Sequence, residues 1–261
     1  IGALLDRDTP EVVVHAAAWS DVDGCALDPA LAQLRNGVAT GVLAAACAER
    51  GMDLVAISTN EVFDGRRLDG YGYLPTDPPA PGNPYGVSKL DGERRAQAAF
   101  EGAARGSLGI VRTAWLFGTP GRDFPSRILA AADRAATARE PLTVVGDEWG
   151  TPTYTADLAD AIVELLAADA AAGMHHIVNG LFATRADWAR YVVGRASLDV
   201  EVVNVPMASW SRPSTPPRWG VLAPTPLPSR EPLRGWPDAM DDYAPALLRA
   251  DRAAGVGRAR A

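Results

Sequence analysis

The segment Asn83-Pro84-Tyr85-Gly86-Val87-Ser88-Lys89-Leu90-Asp91-Gly92-Glu93 carries the residue types and spacing best suited to chemistry. If it begins a helix, Tyr85 and Lys89 stand one above the other, because residues four apart are neighbours on a helical surface. An ammonium beside a phenol favours the phenolate and lowers the tyrosine pKa from about 10 toward the working pH. Such a tyrosine gives a proton to a ketone oxygen as hydride reaches its carbon, and takes one in the reverse direction. Taken alone, Tyr-x-x-x-Lys is a common accident of solvated helices. Here it is accompanied by Ile57-Ser58-Thr59-Asn60-Glu61-Val62-Phe63-Asp64-Gly65, a strand-like run with hydroxyls at its carboxyl end. That is where open α/β sheets place their ligands. Thr59 is expected to hydrogen-bond the carbonyl oxygen that Tyr85 protonates; the plainer alternative is that Ser58 and Thr59 only cap the strand and its turn.

The elements that must position these groups follow from hydrophobic period. Short β-branched runs alternate with longer Ala-rich stretches of helical period, the pattern of a parallel sheet wrapped by helices. The runs are 12–15, 54–57, 109–111, 142–145, 176–178 and 202–205, most of them expected as central strands, apolar on both faces. Asp28-Pro29 opens a helix that runs to Gly51, a C-cap. Thr184 to Asp187 resembles a capping box. Further helices are expected at about 85–100, 124–136, 155–168 and 237–250. Two segments break the alternation: 64–84, dense in Gly, Pro and Asp and therefore functional or mobile, and 209–232, richer in proline and expected as extended surface chain.

Composition narrows the function classes. A formal net charge of -7 over 261 residues argues against a general nucleic-acid or anionic-membrane binder. Cys25 and Cys47 form neither a metal-ligand spacing nor a disulfide framework, so they read as small core residues in a reducing, cytoplasmic compartment, and no metal is expected. The longest strongly apolar stretch, Val42 to Ala48, is too short to cross a bilayer, and Ile1 to Thr9 lacks the marks of a signal peptide.

Successive segments resemble, in order, the signatures of the dTDP-4-dehydrorhamnose reductase family of extended short-chain dehydrogenases. They are Val14-His15-Ala16-Ala17-Ala18-Trp19-Ser20-Asp21-Val22-Asp23, Ser58 to Gly65, Tyr85 to Glu93, Val111-Arg112-Thr113-Ala114-Trp115-Leu116-Phe117-Gly118 and Gly150-Thr151-Pro152-Thr153. The resemblance implies a Rossmann-like doubly wound parallel sheet over residues 1–180, a smaller substrate lobe over 181–250 with a contribution from the 145–155 turn, and a flexible tail over 251–261. It implies a catalytic set of Thr59, Tyr85 and Lys89, with Ala16, Ala17, Ala18, Ser58, Tyr85 and Lys89 along NADPH or NADH. Asn60, Glu61 and Trp115 are implied to face a nucleotide sugar. The family pattern after the threonine is Asp-Tyr, whereas this chain has Asn60-Glu61, which leaves the sugar open.

The expected activity is reduction of the 4-keto group of a nucleotide-linked 6-deoxy sugar, dTDP-4-dehydro-L-rhamnose to dTDP-L-rhamnose. A catalytically silent regulatory homologue, like the regulatory subunit of methionine adenosyltransferase, is the alternative, and an epimerase or dehydratase on a related scaffold is a weaker one. Trp115 also reads as a core aromatic. Arg212 and Arg218 are each candidates for a diphosphate contact or for plain solvation. Asp21 and Asp23 are given no role, and a homodimer is left open. No strand, Gly-rich turn and helix of a dinucleotide-binding unit precede Val12, so a unit of at least about 30 residues is expected to be missing from this sequence, and with it the residue that would choose NADPH over NADH.

Overall fold

In the computed structural model the described residues are 1–67, 69–119, 122–229 and 232–258, with side chains described as far as Asp251. The chain runs α1 (Gly2–Asp8), β1 (Val12–His15), α2 (Val22–Leu27), α3 (Pro29–Ala32), α4 (Ala39–Arg50), β2 (Asp53–Thr59), α5 (Pro84–Phe100), β3 (Leu108–Thr113), β4 (Leu116–Phe117), α6 (Phe124–Ala138), β5 (Leu142–Val145), β6 (Trp149–Gly150), β7 (Thr153–Tyr154), α7 (Thr155–Ala167), β8 (Gly173–His176), β9 (Ala183–Thr184), α8 (Arg185–Arg195), β10 (Val202–Val205) and α9 (Trp236–Arg258).

β1, β2, β3 and β8 lie side by side as a four-stranded parallel sheet. Leu54, Val55 and Ala56 in β2 and Ile110 and Val111 in β3 are all buried, as continuous apolar runs between two helical layers must be. His15 pairs with Ala56 and Thr59 with Thr113, so Ala16 to Ala18 and the Ser58-Thr59 pair leave the sheet at the same carboxyl-terminal edge. β8 begins earlier than the apolar run at 176–178 suggests: it occupies Gly173–His176, and Ile177 follows it with a hydrogen bond to the Arg112 carbonyl. The expectation that most runs are central strands fails: only β2 and β3 lie inside the sheet, β1 and β8 are its edges, with Val14 of β1 exposed, and two runs lie outside it. β5 and β10 pair with each other, outside the main sheet. The physical reason is visible in β5, where Leu142 and Val144 are buried while Thr143 faces solvent.

The helix signals act as their chemistry requires. Asp28 accepts from the Leu31 N–H at 2.9 Å, and Gly51 closes α4 in the left-handed region at φ 65°. Thr184 and Asp187 form a reciprocal capping box on α8. Between α3 and α4 the chain widens into a π-helix over Gln33–Val38. Here α5 approaches closely: a Cβ on Gly92 would stand 2.6 Å from the Asn36 carbonyl oxygen.

A second core gathers Phe117 from β4, Ile128 and Leu129 from α6, Trp188 and Val192 from α8, and Met240 and Tyr243 from α9, so it draws on chain from both sides of residue 180. The proline-rich 209–232 stretch is not merely surface chain, because Ser214, Val221, Leu222 and Leu227 are buried. Its described residues form no ladder, yet its backbone is paired: Ala223 N–H donates to the Tyr73 carbonyl and Thr225 N–H to that of His176. The same pairing orders the 64–84 loop, where Tyr73 stacks on Phe63 at 4.2 Å and donates its N–H to the Val221 carbonyl. α9 continues past the expected boundary at 250 to Arg258; residues 259–261 of the expected tail lie outside the described residues. No helix among the described residues is long and apolar enough to cross a membrane.

Candidate active site

Thr59 ends β2 and caps the following turn, accepting from the Glu61 N–H at 3.2 Å. Asn83 caps α5 through the Gly86 N–H at 2.9 Å, and Pro84 opens the helix. These two caps aim the next residues: Tyr85 and Lys89 emerge one turn apart from a buried face, 9% and 6% exposed. Lys89 Nζ donates to the Ile57 carbonyl at 2.7 Å, and Thr59 stands close enough to the Tyr85 phenol to draw its pKa downward. Thr59, Tyr85 and Lys89 therefore meet at the carboxyl end of the sheet.

Their electrostatics correct one expectation. The Tyr85 phenol is held well above its ordinary range, first by burial and then by the Glu61 carboxylate, with Thr59 opposing. Lys89 is not among the groups that move it; the ammonium is turned to the strand, and its own pKa is lowered to about 8 by burial, against a pull upward from Glu93. Tyr85 is therefore held as the neutral phenol rather than as a phenolate.

Ser58 is placed differently from Thr59. Its hydroxyl donates to Glu93, whose carboxylate also receives Arg112 Nε at 3.0 Å and Nη2 at 2.7 Å. Ser58, expected along the cofactor, is thus committed to a buried ion pair beneath the site. Asn60 is 3% exposed and donates to the Gly220 carbonyl at 3.0 Å, a structural tie to the C-terminal chain. Glu61 accepts from Asn83 Nδ2 at 2.5 Å, and burial, with Glu148 second among the raising influences, pushes its pKa up to about 7. Trp115 is half-buried at φ 46°, a left-handed backbone that a bulky residue adopts only under constraint. Its indole stacks on Trp188 and lies 3.6 Å under the Arg185 guanidinium, which pairs with Glu148. Ala16, Ala17 and Ala18 are exposed beyond β1.

Several positioning residues escaped the sequence reading. Asn36, set in the π-helix, binds the Trp19 backbone in both directions and the Ser88 hydroxyl at 3.0 Å, joining the chain after β1 to α5. A lone Asn inside an Ala-rich helix was the available signal. Glu93 and Arg112 gave none, since a charged pair on a helix and a strand reads as solvated until the two are brought together. Asp21 caps α2, while Asp23 receives Arg212 Nε at 2.9 Å and the Ser214 hydroxyl at 2.7 Å. Arg212 is therefore occupied, and Arg218 is largely solvated. Cys25 and Cys47 are free and buried. A separate cavity of about 520 Å³ on α5, lined by Arg94, Gln97 and Phe100, touches none of the residues above.

The comparisons with known proteins bear on the chain as a whole. The family model of the RmlD substrate binding domain matches residues 1–247. The dTDP-4-dehydrorhamnose reductase of Mycobacterium tuberculosis is 37% identical over 240 residues, which cover 88% of this chain and 75% of that protein. A crystal structure of a dTDP-4-dehydrorhamnose reductase from Clostridium acetobutylicum superposes with a TM-score of 0.86 at 29% identity, covering 95% of this chain and 84% of that one. One from Bacillus anthracis, in complex with NADP, gives a TM-score of 0.82 at 27% identity over 93% of this chain and 83% of that one. The chain belongs to the RmlD substrate binding domain family, that of the dTDP-4-dehydrorhamnose reductases.

Proposed function

We propose that this chain carries the reducing centre for the 4-keto group of a nucleotide-linked 6-deoxy sugar, converting dTDP-4-dehydro-L-rhamnose to dTDP-L-rhamnose with NADPH or NADH. The observation that carries the reading is the meeting of Thr59, Tyr85 and Lys89 at one sheet edge, in a chain of this family.

The donor set fits a nicotinamide ribose. Lys89 spends one N–H on Ile57, and its other donors suit two vicinal hydroxyls. Ala16, Ala17 and Ala18 offer a ledge of small side chains on which a flat ring would lie. When bound there, the nicotinamide supplies hydride to the carbonyl carbon. Tyr85 then delivers its proton to the carbonyl oxygen, and Thr59 holds that oxygen by a hydrogen bond. Burial favours this direction, because it keeps the phenol protonated until an oxygen with developing negative charge arrives. Glu61 and Trp115 line the sugar side, while Asn60 acts by fixing Thr59 against Gly220. We place the reaction in the cytoplasm, on the support of two free, buried thiols.

The test is loss of reduced-nicotinamide absorbance with dTDP-4-dehydrorhamnose. Turnover with this ketosugar is the expected result; binding of sugar and cofactor without turnover would support a silent homologue instead.

A further inference from the structure

Ketone reduction leaves one acid in the cleft without a task. Glu61 follows Thr59 by two residues, and its backbone is locked to α5, where a Cβ on Gly86 would stand 2.1 Å from the Glu61 carbonyl oxygen. Asn83 grips one carboxylate oxygen, Oε2, at 2.5 Å. The other, Oε1, has no hydrogen bond among the described residues and is not sealed from solvent. The groups that bear on this carboxylate come from every side: Asn83 before α5, Glu148 before β6, Arg185 on α8 and Arg212 in the C-terminal chain. Asn83 is the N-cap of the helix that carries Tyr85, so its grip holds the carboxylate beside the start of that helix, near enough to bear on the Tyr85 phenol. A free carboxylate oxygen thus stands beside the acid that polarises the carbonyl.

Such a pairing suits a second reaction of the same ketone. Polarising a carbonyl oxygen acidifies the hydrogens on the adjacent carbons, and a general base works best when its pKa lies near the operating pH. Burial puts Glu61 in that range, so near neutrality an appreciable share of it is ionised and able to accept a proton.

We propose that Glu61 is a catalytic base for enolisation: with a nucleotide-linked 4-ketosugar bound, it removes the hydrogen from a ring carbon next to the carbonyl while Tyr85 protonates the carbonyl oxygen. The C–H bond breaks and its electron pair becomes the C=C bond of the enol. The carbonyl π pair forms the new O–H bond with the Tyr85 proton, leaving a phenolate. Reversal returns the oxygen's proton to Tyr85 and the carbon's proton from Glu61. No electrons leave the sugar, and no nicotinamide takes part. Because Oε1 is open, the proton held on Glu61 trades with water between the two halves, and the net outcome is exchange of that C–H hydrogen with solvent. The inference rests on the ketosugar reading of the site.

The experiment incubates the protein with dTDP-4-dehydrorhamnose in deuterated buffer without nicotinamide, following the ring hydrogens beside the carbonyl by proton NMR and the binding of the sugar by calorimetry. The expected result is loss of one such signal at least about 100-fold faster than in protein-free buffer. Glu61→Gln keeps the Asn83 contact and should bind the sugar while losing exchange by about 10² to 10⁴-fold. Glu61→Asp keeps a carboxylate drawn back by one methylene and should retain part of the exchange, a readout that a merely structural role would not produce. Near-UV circular dichroism confirms that each variant is folded. A wild-type protein that binds the sugar without exchange above background overturns this inference alone, as does full exchange in Glu61→Gln. A protein that neither binds nor exchanges the ketosugar overturns the functional reading with it.

Discussion

Tyr85 and Glu61 are both pushed toward their protonated forms by burial, and each carboxylate charge on Glu61 raises the phenol further. The consequence for stability has a definite sign. The folded Glu61 titrates at about 7 against 4.5 for the free group, so between those values the folded chain binds the extra proton. Stability contributed at this position therefore falls as pH rises through that window, the reverse of a salt-bridged carboxylate. Glu61→Gln removes the ionisable group and keeps the shape. It should match the parent near pH 4.5 and exceed it above pH 7 by an amount on the order of 3 kcal/mol. Urea denaturation of both proteins at the two pH values measures this, and an equal difference at both would show that burial does not govern the group. The placement of Tyr85, Lys89 and Thr59 in the candidate site was legible because their spacing survives folding unchanged: four residues on a helix, and the last position of a strand. The direction of the Tyr85 shift was not legible, since it depends on how deeply the phenol is enclosed and on where the lysine turns.

At the scale of elements, α5 presents Tyr85, Lys89 and Glu93 at successive turns of one face, and β2 and β3 receive them. The first two are the proposed proton donor and ribose contact. Glu93 anchors the helix by pairing with Arg112, both side chains being 3% exposed. Removing one partner of such a pair leaves a buried charge uncompensated, which costs about 3 to 5 kcal/mol. Glu93→Leu is expected to lose that much in urea denaturation, and Glu93→Leu combined with Arg112→Met should recover part of it; a loss below about 1 kcal/mol in the single variant would mean that water reaches Arg112. Helix boundaries were readable wherever a cap carries its own chemistry, as at Asp28, Thr184 and Gly51. The tie of Ser58 to Glu93 was hidden for a different reason: a carboxylate on a helix reads as solvated until the helix packs against the strand.

Across the whole molecule, distant parts of the chain are tied together around the candidate site. Asn60 reaches Gly220, Asn83 reaches the Thr215 carbonyl, and Asp23 receives Arg212 and Ser214. These ties explain why the 209–232 stretch read as surface chain: proline removes the periodic pattern by which burial is inferred, yet the segment is held by single hydrogen bonds rather than by a ladder. The pairing of β5 with β10 was hidden for a similar reason, because apolar runs show that a strand forms without showing which sheet it joins. Tyr85, buried at the start of α5, is the proposed proton donor for ketone reduction. Replacing it by Phe removes the hydroxyl and keeps most of the ring packing against Cys25 and Ala32. The most direct measurement compares turnover of dTDP-4-dehydrorhamnose with its binding in the parent and in Tyr85→Phe. In Tyr85→Phe, kcat should fall by about 10² to 10⁴-fold while sugar affinity changes little; turnover within a few-fold of the parent, at unchanged affinity, would contradict a proton-donor role for Tyr85.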